Sequence, residues 1–148
     1  MVKKFRFRLE RVLQYRQMVK DERIKALLEK NAELHEANKK LEELQAAVLM
    51  NKVAENATLA AHEIELVAQY SQRLREQIEH QNKTVAEAEN AVLEARDNYI
   101  SASKDSESLE KLKNRKHDEY EDYLLKEEGK FLDELSTQRI GYQNRSKE

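Results

Sequence analysis

Between residues 67 and 109 a seam recurs at alternating spacings of four and three: Val67, Ser71, Leu74, Ile78, Gln81, Val85, Ala88, Val92, Ala95, Tyr99, Ala102, Ser106 and Leu109. Ten of these thirteen positions are apolar or aromatic. A spacing that averages 3.5 keeps one stripe facing a partner helix, which is the signature of a left-handed coiled coil. Upstream, Leu27, Leu34, Leu41 and Val48 recur every seven residues, with Ala37 and Leu44 between them and a looser version through Leu9, Val12, Leu13 and Val19. The pattern predicts a first helix over about 5–51 and a second over about 61–140, with a frayed tail at 141–148.

The two seams do not share a phase. Leu34, Leu41 and Val48 project to Glu55, His62 and Gln69, so the first seam turns polar just where a new one begins at Ile64 and Val67. The break falls between about Asn51 and Ala61, with the tip at about 52–60, where Asn51, Asn56 and Thr58 tolerate turns and caps and Thr58 is the expected N-cap of the second helix. Without Gly or Pro in this stretch, one uninterrupted helix with a phase shift stays open as the alternative. The expected fold is all-α: one domain formed by a long antiparallel two-helix coiled-coil hairpin with a C-terminal helical overhang. Facing positions then sum to 108 or 115, for example Leu34 opposite Leu74 or opposite Gln81. In either register residues beyond about 110 have no partner, and Leu112, Tyr120, Tyr123, Leu124, Phe131, Leu132 and Leu135 form a docking element unless they fold back on Phe5 and Phe7. The serine-rich stretch 101–108 and Gly129 are expected to bend or fray the second helix, and Gly141 reads as a C-cap. Ala86, Ala88, Ala91, Ala95 and Ala102 suit close approach of a partner helix.

Composition narrows the class. In 148 residues there are no prolines, no cysteines, no tryptophans and two glycines, with 38% charged residues and a mean hydropathy of -0.95. Average usage would give about 7 prolines and 10 glycines, so the chain has few turns and no sizeable single core. Zero Cys excludes a disulfide framework and thiolate chemistry. The basic start, Lys3 to Arg8, leads into no apolar run, so neither a signal peptide nor a membrane-spanning helix is expected and cytoplasmic residence is the default. Charge is uneven: residues 1–25 carry nine Lys/Arg against three Asp/Glu, residues 26–110 nine against seventeen, and residues 111–148 nine against nine. The amino end is a basic arm, either a solvated face or a docking surface for an acidic partner or nucleic acid.

Candidate chemistry is sparse. His35, His62, His80 and His117 lie far apart and lack the Glu three residues before them that a di-iron bundle uses. Two glycines, twelve residues apart, cannot make a phosphate-binding loop or a dinucleotide fingerprint. Pairs such as Glu42-Glu43, Glu127-Glu128 and Asp133-Glu134 read as surface charge, because two packed helices offer no pocket to shift their pKa values. No enzymatic activity, cofactor or metal is expected.

The amino-terminal run Phe5-Arg6-Phe7-Arg8-Leu9-Glu10-Arg11-Val12-Leu13 with Tyr15-Arg16 stands at one end. At the other stands Leu109-Glu110-Lys111-Leu112-Lys113-Asn114-Arg115-Lys116, followed by Tyr120, Tyr123, Glu127-Glu128 and Phe131-Leu132-Asp133-Glu134-Leu135. Together these marks resemble the FliJ family, coiled-coil components of the flagellar type III export apparatus, over nearly the whole chain. The resemblance implies a fold similar to the coiled-coil stalk of rotary ATPases and a non-enzymatic role. It implies binding and stimulation of the hexameric export ATPase ring, contact with the membrane export gate and escort of export chaperones. The protein would act as a cytoplasmic monomer held peripherally at the flagellar base. The ATPase-facing set would be Arg6, Arg8, Arg11, Arg16, Leu112, Arg115, Lys116, Tyr120 and Tyr123. The gate-facing set, in the tip half, would be Leu41, Leu44, Val48, Tyr70 and Leu74. No nucleic acid and no direct membrane insertion are implied. The injectisome counterpart, a self-associating scaffold and a basic-armed nucleic-acid binder are the alternatives.

Overall fold

The computed structural model describes residues 3–147. It contains two helices, α1 (Glu10–Glu55, 46 residues) and α2 (Ala61–Arg145, 85 residues), packed against each other as an all-α helical hairpin, with no strand among the described residues. No described helix is long and apolar enough to cross a membrane. The chain clusters into two compact units, Val19–Ala102 and Met1–Met18 with Ser103–Glu148.

In the unit Val19–Ala102 the heptad pattern decides what is covered. Leu27, Leu34, Leu41, Leu44 and Val48 of α1 are half-buried and Ala37 is buried, while on α2 every seam position from Val67 to Ala102 is buried or half-buried. Leu74 is 2% exposed. Removing such stripes from water on both partners is what holds two otherwise polar helices together. The polar seam residue Gln81 is accommodated by a cross-helix bond: its Nε2 donates to the carbonyl of Ala37 at 2.9 Å. Ala37, itself buried, has only a methyl group, too small to block that approach. Of the alanines read as close-approach positions, Ala88, Ala91, Ala95 and Ala102 are covered, but Ala86 is exposed.

The tip is shorter and later than the pattern predicts. α1 continues to Glu55, and Asn51, assigned to the turn above, is 8% exposed as the next seam position after Leu44 and Val48. Only residues 56–60 lie between the helices. Thr58 is not the cap. The backbone N–H of Ala60 instead donates to Oε2 of Glu63 at 2.9 Å, the reciprocal half of a capping box, and Ala60 O accepts the first helical bonds from Glu63 and Ile64. The cross-helix contacts pair residues whose numbers sum higher than either expected register, with Gln81 at Ala37, Asp105 at Arg16 and Lys113 at Glu10.

In the unit of the two chain ends, α1 starts at Glu10 rather than at Phe5, and residues 3–7 have no regular secondary structure. Four cations in Lys3, Lys4, Arg6 and Arg8 would oppose the positive N-terminal end of a helix, whereas Glu10 in the first turn complements it. Residues 3–9 form a strap, irregular over 3–7 and turning at 8–9, in which Phe5, Phe7 and Leu9 are half-buried and Lys4, Arg6 and Arg8 are exposed. α2 is helical without interruption through residues 101–108, 129 and 141. The serines do not fray it: Ser108 Oγ donates back to Lys104 O at 2.8 Å and Ser106 is fully buried, so burial of the seam outweighs weak propensity. Gly141 is not a C-cap, since no glycine has positive φ and the helix passes through it, leaving no frayed tail before Ser146. The overhang is accordingly shorter than expected. Coverage reaches Leu112, Tyr120, Leu124 and Glu127, and only residues 128–147 are exposed throughout.

Candidate partner-binding surfaces

Polar and apolar contacts both join the chain ends. Glu10 and Lys113 form an ion pair in which Nζ lies 3.1 Å from Oε1 and 2.9 Å from Oε2. Arg16 pairs with Asp105 at 3.2 Å. Gln17 Nε2 donates to Glu110 Oε1 at 3.1 Å, and the same oxygen accepts from Ser106 Oγ at 3.4 Å, tying the buried serine to the facing helix. Leu13, 3% exposed, is the one buried apolar side chain that α1 contributes here. Ahead of it the strap lies on α2, where the Phe5 ring meets His117 edge-on with centroids 5.1 Å apart and Tyr120 at 5.6 Å. The Tyr120 hydroxyl donates to the carbonyl of Lys3.

The candidate ATPase-facing residues divide three ways. Arg6, Arg8, Arg11 and Arg115 are exposed and belong to no ion pair among the described residues. Arg6, Arg8 and Arg11 line one groove with Phe5, Phe7 and Lys113. Tyr123, 53% exposed, shares a second groove with Arg6 and Tyr120. Arg16 and Lys116 are engaged, the first with Asp105 and the second with Glu119 at 3.1 Å. Leu112 and Tyr120 are half-buried beside the strap.

The candidate gate-facing residues are mostly interior. Leu41, Leu44 and Val48 are half-buried in the seam and Leu74 is buried, so of that set only Tyr70 presents an open side chain. An exposed apolar set lies one step away. Leu49, Met50 and Val53 are 64%, 73% and 70% exposed, at the outward positions of the α1 heptad whose inward positions are Leu41, Leu44, Val48 and Asn51. Outward heptad positions are ordinarily polar, so three apolar residues there within five positions were a legible signal.

His117, Asp118 and Glu121 could bring ligand atoms within 4.8 Å of one another, but all three are exposed and His117 Nδ1 already lies 3.5 Å from Glu121. Adjacent turns of any charged helix produce such groupings, and nothing here distinguishes this one.

Residues 5–145 match the family described as FliJ, Flagellar FliJ protein. The chain belongs to the FliJ family. It is thereby a component of the flagellar export apparatus, in a family of structural rather than enzymatic parts. The match begins at Phe5 and ends at Arg145, so in this FliJ-family chain the family pattern includes the strap as well as both helices. No curated protein and no solved structure gives a significant match to the chain.

Proposed function

We propose that this protein is a non-enzymatic coiled-coil component that binds and stimulates the flagellar export ATPase ring through its two chain ends, contacts the export gate through the tip half of the hairpin, and escorts export chaperones. The observation that carries the ATPase assignment is the set of exposed cations that belong to no ion pair among the described residues, Arg6, Arg8, Arg11 and Arg115, in the same unit as the open Tyr123. Arginine and tyrosine dominate the energetics of protein interfaces, and an unneutralised cationic cluster favours a surface bearing carboxylates. For the gate, the outward apolar face of Leu49, Met50 and Val53 with Tyr70 replaces the interior seam residues as the contact surface. Peripheral residence at the flagellar base follows from those two contacts.

The test is affinity of the purified export ATPase for single variants of the full chain. Arg8→Ala and Tyr123→Ala should weaken binding, Met50→Asp should leave it intact, and the reverse pattern refutes the assignment. A self-associating scaffold is favoured by one observation, the exposure of Phe131, Leu132, Leu135, Ile140 and Tyr142. Sedimentation of the isolated chain decides between them, since a monomer across micromolar concentrations excludes the scaffold.

A further inference from the structure

The strap formed by residues 3–9 covers part of the surface that the proposed function assigns to the ATPase, and its attachment is slight. Its peptide groups are almost unused. Among the described residues, the carbonyl of Lys3 accepts from Tyr120, and the carbonyls of Phe7 and Leu9 serve only to start α1. No backbone N–H from Lys4 to Leu9 donates to another described group, in contrast to the helix that follows. The apolar contact is limited as well: the Phe5 ring meets His117 and Tyr120, and Phe5, Phe7 and Leu9 line an open groove with Leu112 and Lys116 of α2. None of the three strap side chains is fully buried. Ordering a short chain costs conformational entropy at every residue, and three half-buried side chains with one hydrogen bond return little beyond that cost. Such a segment belongs to the low-stability end of local opening equilibria.

What the strap covers matters. Leu112 and Tyr120 are half-buried beside it, while Tyr123, one helical turn on, is open. The strap's outward residues Lys4, Arg6 and Arg8 are all cationic, so the strap turns a face of one sign toward any acidic partner.

We propose that residues 3–9 are a releasable strap, an intramolecular occupant of the Leu112–Leu124 face of α2, and that a carboxylate-bearing partner displaces it. This rests on the ATPase-binding reading and adds regulation of that site: affinity is lowered by the fraction of chains in which the strap is docked.

The absence of cysteine makes the test clean. In the full chain, Phe5→Cys and His117→Cys are introduced together and either bridged by a short bis-maleimide or capped separately with a mono-maleimide. Bridging should lower affinity for the export ATPase at least tenfold relative to the capped chain, and equal affinities overturn the proposal. Independently of the ATPase, spin labels on Lys4→Cys and Glu121→Cys in the free chain should give a short docked component and a broad released one, the short component disappearing with saturating ATPase. One short population that the ATPase leaves unchanged overturns strap release. If the capped chain fails to bind at all, the ATPase assignment fails, and the free-chain distances still decide whether the strap opens.

Discussion

The two units of this hairpin are built from the same helices but hold together by different physics. In Val19–Ala102 the seam is a nearly unbroken apolar stripe with one cross-helix hydrogen bond, from Gln81 to Ala37. In the unit of the chain ends α1 buries one apolar side chain, Leu13, polar contacts join α1 and α2 at Glu10 with Lys113, Arg16 with Asp105 and Gln17 with Glu110, and the most deeply buried side chain is a serine. Apolar burial is not weakened by ionic screening, whereas solvent-exposed ion pairs are worth about 0–1 kcal/mol each and are screened. The proposed assignment of partner binding to the chain ends places it in the unit that carries the cross-helix ion pairs.

The largest expected effect lies in the apolar unit. Leu74→Asp places an unpaired charge at a position 2% exposed and should cost more than about 3 kcal/mol, enough to unfold the pair. Thermal unfolding followed by circular dichroism should show it, with Glu76→Ala on the open face as the control, changing stability by less than about 0.5 kcal/mol. Equal melting temperatures would mean that the seam does not carry the stability.

Next in size are the interface anchors. Arg8→Ala and Tyr123→Ala should each weaken ATPase binding about thirtyfold, corresponding to about 2 kcal/mol, if they are anchors of the usual kind. Lys52→Ala, near the tip, should leave ATPase stimulation unchanged in a turnover assay. Loss of stimulation with Lys52→Ala alone would reverse the roles of the two units.

Smaller effects sharpen the contrast. Glu10→Gln should cost about 1 kcal/mol or less, and that cost should shrink in 1 M salt, where the screening length is about 3 Å; a loss equal at low and high salt would remove electrostatics from the account. Gly129→Ala should raise helix stability by about 1 kcal/mol, since Gly129 sits in exposed helix with nothing within 4 Å of an added Cβ. Amide exchange of residues 125–133 reads this directly, and no gain in protection would mean that this part of α2 is already maximally ordered.

Which features were legible in the sequence follows the same division. The seam from Val67 to Leu109 is covered at all thirteen positions, because a heptad pattern states which face is inside irrespective of the partner. Register was not legible, because it depends on where α1 ends, and residues 51–60 hold no glycine or proline to mark that point. Asn51 illustrates the difficulty: as a residue type it suggests a turn, yet as the seam position after Val48 it is buried. The strap was legible only as the alternative in which Leu112 and Tyr120 fold back on Phe5 and Phe7, because the expected first helix began at Phe5, whereas residues 3–7 have no regular structure. At the serine-rich stretch propensity pointed to fraying, and packing of Ala102 and Ser106 overrode it. On the candidate surfaces the exposed cations were visible as charge, but the gate-facing residues were chosen for being apolar, and in a two-helix structure inward apolar residues are spent on the partner helix.

Hydrogen exchange of the full chain with and without the purified export ATPase tests the central claim most directly, that the chain ends are the exchangeable, ATPase-binding unit. In the free chain, amides around Ala37 and Leu74 should be the most protected, those of residues 110–127 less so, and those of residues 4–8 hardly at all. Adding the ATPase should raise protection in residues 10–17 and 110–135 and leave residues 27–48 and 67–92 as they were. Protection gained only around Ala37 and Leu74, with the chain ends unchanged, would contradict the account.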